Sequence, residues 1–227
     1  FAQDANADKL REEGDAAMTA KNYPEVVAKY SEYLKLTNYE DESRVFNCAF
    51  AAYNAKKYDD AIKFYDMAIQ KGYKTDDAYV GKAMSLRSQD KAADFTATVE
   101  AGLKANAQNA NLEKLLYAYC MKKGQAAQKA GKTEEAEELF KDVLVVGNAK
   151  YKGNALYSLG VMFYNAGAKI LADANPIATS DPDKYAAEKK KADAQMAKAK
   201  GYLEQAIALN AADANSKKIL DAINAAK

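Results

Sequence analysis

The sequence predicts an all-α protein: an α–α superhelix of stacked helix pairs, the fifth pair drawn out into a long hairpin, closed by a C-terminal helix. Three observations carry that prediction. Apolar and small residues recur at steps of four and three, which is the spacing of one helical face. The helix–turn–helix pattern returns along the chain, its marker residues Ala17, Ala52, Leu86, Ala127 and Phe163 standing 35, 34, 41 and 36 residues apart. A period near 34 with two helices per unit is the signature of a solenoid. Finally, the chain ends in one amphipathic segment, "ADANSKKILDAINAAK", whose Ile219, Leu220 and Ile223 would cover the last pair while its lysines face water.

The second helix of each pair is the easier to read. "NYPEVVAKYSEYLKL", "KYDDAIKFYDMAIQK", "KTEEAEELFKDVLVV" and "AKAKGYLEQAIALNA" align with one another, and "AADFTATVEAGLKAN" is a weaker copy through Phe95, Val99 and Gly102. Ala61, Tyr65 and Ala68 in one copy, and Ala136, Phe140 and Val143 in another, share an inward face. The preceding helix of each pair carries small residues where two helices must approach closely, such as Gly14 with Ala17, Ala49 with Ala52, and Gly124 with Ala127. In the fourth pair this helix starts early, over Leu112 to Ala130, with Leu112, Leu115, Leu116 and Tyr119 forming an apolar face.

The fifth pair holds 27 extra residues between its two helices, and the helical pattern persists on both sides of the Pro176 to Pro182 turn. Asp181 is the expected cap and Pro182 the expected first helical residue. Both helices are therefore extended, by roughly 18 Å each at 1.5 Å per residue. Ala192, Met196, Ala199, Leu203 and Ala206 form the expected seam against Phe163, Gly167 and Ile170.

The segments "YNAKKYDDAIKFYDMAI" and "QKAGKTEEAEELFKDVL" lie close to the consensus of the tetratricopeptide repeat (TPR) family, and the whole chain resembles exported bacterial members of it. The resemblance implies a single right-handed TPR solenoid over residues 4–227, with repeats at 7–40, 42–75, 76–108, 110–150 and 153–212, an insertion at about 167–195 and a capping helix at 213–227. In that family the first helices line a concave groove that holds a partner's peptide or helix. Carried over repeat by repeat, the expected groove residues are Phe46, Phe50 and Tyr53, then Val80, Met84 and Arg87. Met121, Gln125, Tyr157 and Tyr164 complete the expected lining. One subgroup of the family grips a C-terminal carboxylate. Here the matching positions read Arg11, Asp15, Asn47, Asp77 and Gly81, and the two aspartates would repel an anion.

Composition narrows the function classes. Lys plus Arg is 33 against 32 for Asp plus Glu, so the basic excess of a nucleic-acid binder is missing and no nucleic-acid partner is expected. No apolar run approaches the ~20 residues needed to cross a bilayer. The sequence has no His, which removes the commonest proton shuttle and metal ligand. Cys48 and Cys120 are its only thiols, are far apart, and read as small buried hydrophobes. Gly131-Lys132-Thr133 imitates the end of a phosphate loop, but Ala126 stands where that loop needs its first glycine and no strand precedes it. Gly131 is expected to end a helix and Thr133 to cap the next. The acid pairs Glu12-Glu13, Glu134-Glu135 and Glu137-Glu138 point about 100° apart on a helix and do not converge for catalysis.

The expected function is a non-catalytic protein- or peptide-binding scaffold with no cofactor and no metal. The alternatives are an assembly subunit that self-associates through the 167–195 arm and, more remotely, a glycan-binding protein. The chain opens Phe1-Ala2-Gln3, which suits the end of a cleaved bacterial secretory signal. Export to the periplasm or cell envelope is the expectation, and the cytoplasm if that start has another origin.

Overall fold

The computed structural model describes residues 2–225, with the side chains of residues 4–225. Eleven α-helices and two short 3-10 turns make up the described residues, and no strand occurs among them. The chain divides into two compact units, and the division between Leu115 and Leu116 falls inside one helix.

In the first unit, α1 (Ala2–Thr19), α2 (Tyr23–Leu36), α3 (Glu42–Asn54), α4 (Tyr58–Gln70), α5 (Thr75–Ser88) and α6 (Ala92–Ala105) pack each against the next in chain order. The helix α7 (Ala110–Lys129) follows, and its Leu112 lies against Gly102 of α6. The inward faces read from the sequence are the faces the fold buries: Val26, Leu34, Val45, Ala49, Ala61 and Tyr65 are all in the core. No single pair could hide these side chains alone; at about 25 cal/mol per Å² of apolar surface, neighbours stabilise one another by burying them.

The second unit continues with α8 (Thr133–Asp142), α9 (Ala149–Ala174), α10 (Pro182–Leu209) and α11 (Ala214–Ala225). The sequence leads one to expect helix through "DVLVV", but the chain tightens into a 3-10 turn at Val143–Val145. Successive β-branched valines weaken the α-helix there, and Gly147 and Asn148 follow to start α9. Asn148 caps α9 by accepting from the Tyr151 N–H at 3.1 Å. The two long helices of the fifth pair are 26 and 28 residues, about 39 and 42 Å. Asp181 caps α10 through the Lys184 N–H at 3.1 Å, with Pro182 at the start of the helix. Ala192, Ala199, Leu203 and Ala206 are buried along the seam. The closing helix is α11; Lys227 and Ala226, like Phe1, lie outside the described residues.

One turn design joins the helices of four pairs. Lys21, Lys56, Asp90 and Gly131 all have left-handed φ, at 57°, 59°, 54° and 74°. The next residue in each case donates its N–H back five positions: Asn22 to Ala17, Lys57 to Ala52, Lys91 to Leu86 and Lys132 to Ala127, at 2.8–3.0 Å. Gly131 is thus the residue where a helix stops, and the apparent phosphate loop is a turn. Thr133 does not cap α8: it is the first helical residue, and Lys132 occupies the cap without a side-chain bond. A Cβ on Gly131 would meet nothing within 4 Å, so its cost would be conformational alone. Gly131→Ala is expected to lose about 1 kcal/mol, and Lys56→Gly to gain up to about 1 kcal/mol. Opposite shifts of the urea midpoint check the pair; the same sign for both would contradict the strain assigned to these turns.

Candidate functional site

One face of α3 is aromatic, with Phe50 exposed and Phe46 and Tyr53 half-buried. Phe46, Phe50 and Tyr53 follow one another at steps of four and three, and each ring has an aromatic neighbour. Phe46 meets Tyr65 edge-on at 5.7 Å and Tyr73 at 6.2 Å. The Lys74 ammonium lies over both Phe46 and Tyr73, at 5.2 and 5.8 Å from their centroids. Phe50 stands edge-on to Tyr23 at 5.9 Å and is still 42% exposed, which is unusual for so large an apolar side chain. Tyr53 leans on Tyr58 at 5.8 Å. Helix α5 touches α3 and carries Val80, Met84 and Arg87, all half-buried.

Tyr23, Tyr73 and Lys74 were not among the residues expected at this face. They sit at the start of α2 and in the turn before α5, where the helical period gives no direction. Their only signal in the sequence is composition, sixteen tyrosines without a tryptophan.

The carboxylate-gripping register is otherwise engaged. The Arg44 guanidinium holds Asp15 with two bonds, Nε to Oδ1 at 3.1 Å and Nη2 to Oδ2 at 2.6 Å, and reaches Asp41 through Nη1 at 2.9 Å. The Tyr30 hydroxyl donates to Asp15 at 2.6 Å and the Tyr33 hydroxyl to Asp41 at 3.0 Å. Burial works to raise both carboxyls, but the hydrogen bonds from Arg44 and the tyrosines outweigh it and hold them below the usual carboxylate range. Arg11 pairs with Asp8 at 3.1 Å, and the Tyr65 ring fills the space beside Gly81. This cluster ties α1, α2 and α3 together.

In the second unit the expected lining is spread over different surroundings. Met121 is only 9% exposed and offers no face to a guest, while Gln125 is exposed. Tyr157 lines a cavity of about 380 Å³ with Asn154, Leu209 and the start of α11. Tyr164 lines a second cavity of about 670 Å³ between α9, α10 and the end of α11.

Among the described residues no reactive constellation gathers. Burial pushes the Cys48 and Cys120 thiols up to about 12, so neither is a nucleophile at neutral pH. Glu13 turns to Lys29 at 2.7 Å and Glu137 pairs with Lys141, while Glu12 and Glu138 are exposed. Among the described residues no group of three or more His, Cys, Asp or Glu could hold a metal ion, and no helix is long and apolar enough to cross a membrane.

Helix pairs that bury one another and leave an aromatic helical face outside define a helical-repeat scaffold. A crystal structure of a TPR protein from Bacteroides fragilis NCTC 9343 is 44% identical, covers 97% of this chain and 99% of its own, and matches with a TM-score of 0.90. The chain belongs to the tetratricopeptide repeat family. Two more distant structures show a weaker likeness. The TPR domain of P58(IPK) is 13% identical over 96% of this chain and 65% of its own, with a TM-score of 0.46. YrrB, a TPR protein described as having an unusual peptide-binding site, is 13% identical over 90% of this chain and 87% of its own, with a TM-score of 0.40. No protein-family model and no curated protein matches the sequence. The family relation supports a general, non-catalytic scaffold role.

Proposed function

We propose that this protein binds a peptide segment of another protein on the aromatic face of α3, with α5 alongside. The observation that carries the reading is Phe50: a phenylalanine 42% exposed, yet held in place by the edge of Tyr23. An aromatic side chain already fixed before the guest arrives loses little entropy on binding and brings a large contact area. Phe46, immobilised by Tyr65 and Tyr73, and Tyr53, backed by Tyr58, extend the same pre-ordered surface. Met84 supplies an adaptable neighbour on α5, and Arg87 a cation that favours an acidic residue in the guest.

Peptides selected from a random displayed library against the purified protein provide the test. Phe50→Ala is expected to weaken the selected peptides about 30-fold, the equivalent of about 2 kcal/mol. Because Phe50 is 42% exposed, its removal should lower the urea midpoint far less than truncation of a fully buried phenylalanine would. Unaltered affinity for every selected peptide in both Phe50→Ala and Tyr53→Ala would remove this face as the site. Residence in the bacterial cell envelope belongs to the same proposal. Recovery of the chain in the cytosolic fraction of its source cells would dismiss that location.

A further inference from the structure

The cavity of about 380 Å³ beside Tyr157 has three walls: the start of α9, the end of α10 and the first turn of α11. Gly153, in the second turn of α9, is part of its lining. A glycine inside a helix weakens it relative to alanine, so its presence calls for a reason. At Gly124 and Gly160 the reason is a neighbour, because an added Cβ would come within 2.6 Å of Phe140 or of Leu203. At Gly153 an added Cβ would meet nothing within 4 Å among the described residues. What the missing side chain leaves open is the cavity itself.

Two amides on different walls are already held in place. Asn154 donates through Nδ2 to the Tyr117 hydroxyl at 2.8 Å, and Tyr117 is stacked on Tyr151 with ring centroids 4.2 Å apart and planes 12° from parallel. Asn210 accepts the Ala212 N–H on Oδ1 at 3.1 Å. Asn154 therefore keeps an acceptor oxygen and Asn210 a donor NH2, while Asn215 adds an amide that can do both. Of the two charged residues in the lining, Asp213 is engaged, accepting from the Ser216 N–H at 3.0 Å and the Ser216 hydroxyl at 2.5 Å. The Lys150 ammonium has no ion-pair partner among the described residues. Leu209, 39% exposed, and the Tyr157 ring supply apolar surface between these polar groups.

We propose that this cavity binds a sugar ring bearing a carboxylate, a hexuronate. Neighbouring hydroxyls on a ring each donate and accept, which matches a wall that offers an amide oxygen on one side and an amide NH2 on the other. The C–H face of such a ring is apolar and suits Tyr157 and Leu209. Lys150 supplies the cation for the carboxylate. Because Asn154 and Asn210 are fixed before the guest arrives, ordering them adds little to the entropy lost on binding. The site belongs to the second unit and does not rest on the reading of the α3 face.

The probe is methyl glucuronide, titrated against the full chain by saturation-transfer NMR beside methyl glucoside and N-acetylglycine. Saturable millimolar binding is expected for the glucuronide, and binding about tenfold weaker for the glucoside. N-acetylglycine carries a carboxylate and an amide without the ring, and should not displace the glucuronide. Gly153→Leu should weaken glucuronide binding at least tenfold while leaving the urea midpoint unchanged or raised, since leucine favours the helix and the position is open. Asn215→Ala, at an exposed position, should weaken it severalfold. Lys150→Met should bring the glucuronide down to the level of the glucoside. The proposal is overturned by the absence of saturable sugar binding, or by full affinity in both Gly153→Leu and Asn215→Ala. Displacement by N-acetylglycine would assign the cavity to peptide ends and overturn it too. Equal binding of the two sugars, or an unaffected Lys150→Met variant, would overturn the carboxylate. Phe50→Ala should leave this titration untouched, which separates it from the fate of the α3 face.

Discussion

Truncating Phe140 to alanine is expected to cost about 3–5 kcal/mol, measured by urea unfolding followed through the far-ultraviolet signal. Phe140 is fully buried in α8, a helix of only 10 residues that has few other large side chains with which to hold its place. Its ring lies over Gly124, where an added Cβ would come within 2.6 Å of it. A methyl at Gly124 would improve helix propensity by about 1 kcal/mol in isolation. Against a ring packed on all sides it should instead destabilise, by about 1–3 kcal/mol. The two sites should therefore couple. With Phe140 already removed, Gly124→Val fills part of the space left behind and should cost less than it does alone. Additive losses would mean that ring and glycine do not define each other's position.

Replacing Arg44 with methionine is expected to cost about 2 kcal/mol. That lies between the fraction of a kcal/mol typical of an exposed ion pair and the 3–5 kcal/mol of a fully buried one. The intermediate value follows from exposure: the Arg44 side chain is 24% exposed, Asp41 20% and Asp15 42%. Asp15→Asn combined with Arg44→Met should cost less than the sum of the two, since each alone strands the other's charge. Acidity gives an independent check. The folded-state values of Asp15 and Asp41 lie below the ordinary 3.8, so their contribution is complete above that value and fades as pH falls through the depressed ones. Wild-type stability should drop more steeply than that of Arg44→Met below about pH 4. Parallel curves would show that the cluster adds nothing.

Much of the architecture is legible because burial imposes a period. Ala61, Tyr65, Ala136 and Phe140 repeat at helical steps, and each of them is in the core. The start of α10 is equally readable, since Asp181 followed by Pro182 carries both a cap and a fixed φ. What periodicity leaves out is the neighbour. The Arg44–Asp15 pair joins residues 29 apart, and no local rule connects them. Phe50 reads as an outward residue of α3, but the Tyr23 ring that steadies it belongs to another helix. Met121 sits at an expected groove position and is buried all the same, because a residue's place on its helix does not say how close the next helix lies. The end of α8 fails differently: four consecutive apolar residues fit several backbones, and the chain takes the tighter one.

The shared turn has a consequence for biogenesis. Each closure spans five positions, and in α1 to α6 every helix lies against the one that precedes it. Nothing in that stretch has to wait for a remote strand to arrive, so the leading helices can settle while later ones are still being synthesised on the ribosome.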